Sequence, residues 1–323
     1  MNAPAMASAP AELTIETIVR RMTYETPSVL SYDLQRADGG ALPGFEPGAH
    51  IDVHLPDGLV RQYSLVGPAD GKTYRIAVAL DRATRGGSRW LHSGARPGDR
   101  LTISAPRTTF ALAETVSPSV LFAGGIGITP ILAMARQLAA KGLPWRLYYG
   151  VRTRAECALI EELQALGGDV HIHIDDEDHG FIDIAHLVGK AAPDTHFYCC
   201  GPAPMLAAFK AATAGHDPDR VHWESFLPAV PEAGDGGFTV VLDRTGRSVV
   251  VGADQTILEA IEAAGIAVPS SCRNGICGTC ETRVLEGTPD HRDKVLSDDE
   301  KAEGATMMIC CSRAKTALLR LDR

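Results

Sequence analysis

A chain of 323 residues is long enough for two or three domains, and a composition of 45% hydrophobic and 22% charged residues is that of packed, globular cores. The net charge of −9, with no basic run, argues against a nucleic-acid partner. No apolar stretch reaches the roughly 18 residues of a bilayer-spanning helix, and no charged start with a following apolar run marks a signal peptide. Residues 1–12, rich in Ala and Pro, are expected to form a disordered tail. Residues 13–113 then read as β structure. Ile51, Val53 and Leu55 alternate with polar residues, Pro56-Asp57-Gly58 makes a turn, and 59–66 resumes an extended run. Tyr74, Ile76, Val78 and Leu80 again fall on every second position, the pattern of a sandwich or small barrel.

The pattern changes near Pro118. Strand signals at 120–123, 145–149, 170–174 and 196–200 alternate with helical ones at 131–141, 155–166 and 204–213. That alternation predicts an α/β domain over 114–227, with a parallel sheet between helices. Residues 228–237, Pro-Ala-Val-Pro-Glu-Ala-Gly-Asp-Gly-Gly, read as a linker. Beyond it, 238–242 and 248–251 flank the turn Asp243-Arg244-Thr245-Gly246, a hairpin signal. Thr256 and Glu259 have capping-box spacing and open a helix that Gly265 ends. The last domain is expected to span 238–323.

The eight cysteines are absent before Cys157 and crowd the C-terminal region. Clustering of that kind favours metal binding in a reducing compartment, so the cytoplasm is the expected location. Cys272-x4-Cys277-x2-Cys280, followed by Cys310, has the spacing of a plant-type [2Fe–2S] site, two sulfurs to each iron. Gly275 and Gly278 let the backbone curl round the cluster. A tetrahedral zinc site is the alternative, but zinc ligands usually come as two short hooks, not three together and one remote. Cys311 competes with Cys310 as the fourth ligand.

Arg61-Gln62-Tyr63-Ser64 lies on a strand and has the chemistry of a flavin site. Arg61 suits a phosphate, Tyr63 a ring or ribityl contact, and Ser64 a hydrogen bond near flavin N5. Gly86-Gly87-Ser88 offers backbone N–H groups and a hydroxyl that suit a phosphate. Ala123-Gly124-Gly125-Ile126-Gly127-Ile128-Thr129-Pro130 follows a strand and precedes a helix, as a phosphate-binding turn requires. Pro130 stands where the common dinucleotide pattern has its third glycine. Arg152 and Arg154 follow the next strand, either as contacts for a 2′-phosphate or as surface charge. His171, His173 and His179 near Asp175, Asp176 and Asp178 read as a solvated loop in preference to a metal site.

These motifs, from end to end of the chain apart from the tail, resemble the phthalate dioxygenase reductase family of the ferredoxin–NADP reductase superfamily, which includes the reductases of vanillate O-demethylases. The resemblance implies a flavin-binding antiparallel β-barrel, an α/β nicotinamide-binding domain and a C-terminal β-grasp ferredoxin, in that order. It implies FMN, NADH and a [2Fe–2S] cluster as cofactors and a terminal Rieske-type oxygenase as partner. Within it Arg61, Tyr63, Ser64, Gly86, Gly87 and Ser88 hold the flavin. Gly125, Gly127, Thr129, Pro130, Arg152, Cys200, Gly201 and Pro202 hold the nicotinamide cofactor, and Phe226 lies against the flavin. Ser64, Thr129, Cys200 and Phe226 then form the catalytic set. Met308-Ile309-Cys310 makes Cys310 the fourth ligand beside Cys272, Cys277 and Cys280. The cluster-loop residues Arg273, Asn274 and Ile276 are the expected rim for a docking partner. A free-standing NAD(P)H-dependent reductase of small acceptors is the alternative function.

Overall fold

The structure is a computed structural model describing residues 14–67, 69–80, 86–226 and 237–323, and of Asp57 the backbone. The expected tail (residues 1–12) and the expected linker 228–237, apart from Gly237, lie outside the described residues. The chain forms two compact units, Met1–Phe226 and Leu227–Arg323.

The first unit opens with an antiparallel sheet of seven strands: β1 (Thr14–Thr26), β2 (Val29–Arg36), β3 (Ala49–His54), β4 (Val60–Ser64), β5 (Tyr74–Ala79), β6 (Arg100–Ser104) and β7 (Arg107–Thr108). Its order is β4-β3-β6-β1-β2-β5, with β7 against β3. The sheet curls until its ends meet at a single bridge, Leu65 with Ile76, so the expected barrel is a curled half-barrel. Alternation decides which face is buried: Ile51, Val53, Ile76 and Val78 point into the core with Val19, Tyr32 and Leu34. A short helix, α1 (Gly87–Ser93), packs on β5; periodicity gave no hint of it because it is only seven residues long.

Next comes a parallel sheet in the order β10-β9-β8-β11-β12, from β8 (Ser119–Gly124), β9 (Trp145–Val151), β10 (Asp169–Ile174), β11 (His196–Cys200) and β12 (Val221–Glu224). Its helices are α2 (Ile128–Ala140), α3 (Ile160–Gln164), α4 (Ile184–Gly189) and α5 (Ala203–Thr213). The helix expected over 155–166 is shorter than its pattern. Residues Arg154–Glu156 form a 3₁₀ turn, and buried Leu159 adopts φ +58°, a left-handed conformation that delays α3 to Ile160.

Half-barrel and parallel sheet share one core, in which Val66, Ala77 and Phe110 pack with Ile131, Met134 and Leu163. A chain of charges reinforces the joint. Arg75 reaches Asp33 at 2.6 Å and Glu162 at 2.7 Å, Arg136 also pairs with Glu162, and Arg136 donates to the carbonyls of Val66 (3.0 Å) and Gly67 (2.8 Å). Burial alone would raise the Asp33 carboxyl, but Arg75 and Arg21 outweigh it and hold it below the usual carboxylate range.

The second unit is a mixed sheet in the order β14-β13-β19-β15-β17, from β13 (Phe238–Leu242), β14 (Arg247–Val251), β15 (Glu281–Glu286), β17 (Thr306–Met308) and β19 (Leu318–Leu321). A small ladder joins β16 (Pro289–Asp290) to β18 (Arg313–Ala314). Helix α6 (Ile257–Ala263) starts at the expected capping box, with Thr256 and Glu259 each accepting from the other's backbone N–H. Its Ile257, Leu258 and Ile261 are buried against the sheet, and α7 (Asp298–Glu303) begins with a second capping box.

Candidate functional site

The two flavin-type motifs, far apart in sequence, meet in space. Tyr32 on β2 donates its hydroxyl to Leu91 O at 2.7 Å, and His92 Nε2 lies 2.9 Å from Val78 O, so α1 is pinned to the sheet. That pinning sets Gly86 and Gly87, at the start of α1, against Arg61 on β4. A Cβ on Gly87 would lie 2.6 Å from Arg61 Cγ and 2.9 Å from its Nε, so only bare backbone fits beneath the arginine. Gly86 has φ +99°, which favours glycine there as well. A cation laid along bare glycine backbone is a fitting cradle for a phosphate. Tyr63 is half-buried, and burial pushes its phenol well above the usual range, with the Arg61 charge opposing. Ser64 is buried at the end of β4, directly paired with His50 on β3.

The second constellation forms at the carboxyl ends of β8 and β11. The chain leaves β8 through a 3₁₀ turn, Gly125–Gly127, and enters α2, where Pro130 sits in the first turn and forfeits no helical hydrogen bond. Thr129 is buried and donates its hydroxyl to Ile126 O at 3.0 Å, bracing the turn. A Cβ on Gly127 would fall 2.1 Å from Cys200 O, and one on Gly124 2.5 Å from Pro202 Cδ. The Gly-rich turn and Cys200-Gly201-Pro202 therefore touch through backbone, which explains the glycines without any appeal to a ligand. Cys200 is fully buried, flanked in register by Ala123 and by Glu224, a buried carboxylate. Glu224 lies in the Trp223-Glu224-Ser225-Phe226 segment that resembles the family's, whereas Met205, whose Sδ lies 2.7 Å from where a Gly201 Cβ would be, belongs to no fixed spacing and carries no sequence signal. Phe226, at the end of the first unit, is 41% exposed.

Arg152 is exposed just beyond β9. Arg154 differs from the open cation expected of a phosphate ligand, because its guanidinium is held by Glu177 through Nε at 3.1 Å and Nη2 at 2.5 Å. The histidines are also engaged: His171 stacks on Tyr148 with ring centroids 5.0 Å apart, and His173 Nε2 lies 2.7 Å from Gly180 O.

In the second unit the four thiols of Cys272, Cys277, Cys280 and Cys310 come together. Contacts join Cys272 with Cys277, Cys280 with Cys310, and Cys272 with Cys310, and Cys310 also touches its neighbour Cys311. Among the described residues no group of three or more His, Cys, Asp or Glu is already set in metal-holding geometry, so the preference for a cluster rests on the chain of sulfur contacts and the ligand spacing. A chain of sulfur contacts suits two irons better than one tetrahedral ion. The loop offers donors too: Asn274 N–H points to Cys272 Sγ and Gly275 N–H to Cys310 Sγ, each at 3.3 Å. Gly275 has φ +68°, and a Cβ there would lie 2.3 Å from Cys311 Sγ. Cys311 thus fills the space behind the loop, with its thiol directed to Met308 O at 3.7 Å. Arg273 does not stand open on the rim: its Nη2 pairs with Glu262 of α6 at 2.6 Å. No helix among the described residues is long and apolar enough to cross a membrane.

A phosphate cradle and a dinucleotide turn in one unit, followed by a four-thiol loop in a ferredoxin-like unit, define a flavin and iron–sulfur oxidoreductase. Residues 121–211 match the oxidoreductase NAD-binding domain family and residues 240–315 the 2Fe-2S iron-sulfur cluster binding domain family. Phenoxybenzoate dioxygenase subunit beta of Ectopseudomonas oleovorans is 48% identical over 98% of this chain and 99% of that protein. Tetrachlorobenzoquinone reductase of Sphingobium chlorophenolicum is 48% identical over 96% of this chain and 98% of that protein. The solved structure of phthalate dioxygenase reductase aligns with a TM-score of 0.75 at 39% identity, covering 96% of this chain and 98% of that one. The chain belongs to the phthalate dioxygenase reductase family.

Proposed function

We propose that the chain is the NADH-dependent reductase component of an oxygenase system in the cytoplasm, with a Rieske-type terminal oxygenase as its partner. In this reading 13–113 binds FMN, 114–227 binds NADH, and 238–323, after the linker 228–237, carries the [2Fe–2S] cluster on Cys272, Cys277, Cys280 and Cys310. The observation that carries it is the gathering of the Cys272, Cys277, Cys280 and Cys310 thiols in a unit that follows, along the chain, the one holding the Arg61–Gly87 cradle. A flavin accepts a hydride and releases electrons singly, which lets a two-electron nicotinamide supply a one-electron cluster. The protein's part is placement. Arg61 and the Gly86–Ser88 backbone fix the phosphate end, Tyr63 and Ser64 the ring, and Thr129 braces the turn that receives the nicotinamide cofactor. Gly275 and Asn274 direct N–H groups at the sulfurs, which favours the more negative, reduced cluster and eases electron entry.

Releasing the flavin by heat and running it on a column tests the first unit: one FMN per chain is expected, and stoichiometric FAD would overturn the assignment. Arg61→Ala removes a charge-assisted phosphate contact of about 1.5–3 kcal/mol. Flavin retention measured by fluorescence titration should weaken on the order of 10- to 150-fold.

The quinone-reductase name of one relative favours a second reading, a reductase of small acceptors. Quinone reduction that survives loss of the cluster, with no transfer to any oxygenase, would select it. For docking, residues 237–323 hold 13 acidic and 11 basic side chains, a net charge of −2, so partner reduction should vary only modestly with salt. Because Arg273 anchors the cluster loop to α6, half-buried Ile276 is the better rim residue to vary.

A further inference from the structure

We propose that Glu177 sets the choice between nicotinamide cofactors, an inference that rests on the NADH reading above. In an open parallel sheet the dinucleotide crosses the carboxyl ends of the strands, and its adenosine ribose lies beyond the strand after the phosphate turn. Here that strand is β9. It pairs with β10 in parallel register, Val151 beside Ile174, so residues 152–154 and 175–178 leave the sheet side by side. Asp175 N–H donates to Val151 O at 3.0 Å and Asp176 N–H to Arg152 O at 3.1 Å, which locks the two segments together.

The acidic turn divides its work. Asp178 accepts from Ile174 N–H at 2.8 Å, and the N–H groups of Glu177 and Asp178 return to Ile174 O at 2.9 and 2.8 Å. Asp175 and Asp178 both lie 3.5 Å from nitrogens of His173. These bonds fold the turn tightly and leave Glu177 to grip Arg154 with both carboxylate oxygens. The pair is exposed, 72% for Arg154 and 49% for Glu177, so it adds little to folding. Its effect falls on the ligand. A 2′-phosphate needs a cation at this edge, and the planar fork of Arg154 is shaped for one. Glu177 occupies that fork and adds like charge, whereas a free 2′-hydroxyl meets no such penalty.

The test uses the full-length holoprotein and compares kcat/KM for NADPH and NADH with ferricyanide as acceptor. Glu177→Gln should raise the NADPH/NADH ratio by about tenfold or more. In a separate binding assay it should tighten 2′-phospho-AMP relative to 5′-AMP. Adding Arg154→Gln to that variant should return both ratios to the wild-type range. An unchanged NADPH/NADH ratio in Glu177→Gln overturns the inference, as does a gain that persists without Arg154. A wild-type protein that uses NADPH as well as NADH would overturn the NADH reading itself, a result separate from either.

Discussion

Cys277→Ser is expected to abolish the iron–sulfur EPR signal and reduction of the oxygenase, while NADH-to-ferricyanide activity, which needs only the first unit, persists. Cys277 touches Cys272 directly, and serine in its place supplies a poorer iron ligand. Cys310→Ser should behave alike. Cys311→Ser should retain the signal, since Cys311 packs behind Gly275. A normal cluster in Cys310→Ser with a lost one in Cys311→Ser would reverse the fourth-ligand assignment.

Gly127→Ala should cost nearly as much at the other end of the relay. The added Cβ would meet Cys200 O at 2.1 Å and Cys200 C at 2.5 Å, and neither backbone atom can rotate away as a side-chain tip can. The end of β11 must then part from the phosphate turn. A shift near 1 Å in a reacting pair costs on the order of 100-fold, so the rate of flavin reduction by NADH in stopped flow should fall by about that factor. Flavin and iron contents should stay at wild-type levels. Gly215→Ala is the control, because its Cβ would meet nothing within 4 Å; an equal loss there would refute the contact argument.

Much of this was legible before any coordinates. Short strands with every second residue apolar announced a sandwich or small barrel, which the structure shows as a curled half-barrel, and strand–helix alternation announced the parallel sheet. The cysteine spacing singled out the loop that the fold draws together, and Thr256 with Glu259 marked the start of α6 to the residue. What escaped depends on distant partners. Strand β1 carries charged and apolar residues in a blurred pattern, and its pairing with β6 is what organises it. The late start of the 155–166 helix follows from burying Leu159 in a left-handed conformation, a tertiary demand that outranks helical propensity. Pairings such as Arg154 with Glu177 and Arg273 with Glu262 have no sequence signature, so two arginines that read as open cations are occupied.

The placement of β19 has a kinetic corollary. It runs parallel to β13 and antiparallel to β15, in the middle of the sheet, yet follows every other strand of that unit in the chain. Neither the β13–β14 hairpin nor β15 can be sealed into one sheet until Leu318–Leu321 has been made and has slotted between them. Closure of so long a loop is slow and exposes unpaired strand edges in the interval. The thiols, all encoded upstream of β19, consequently wait in an open scaffold. Shortening that strand, which carries no ligand, is therefore expected to show first as chains that lack a cluster, read as iron and sulfide content per chain.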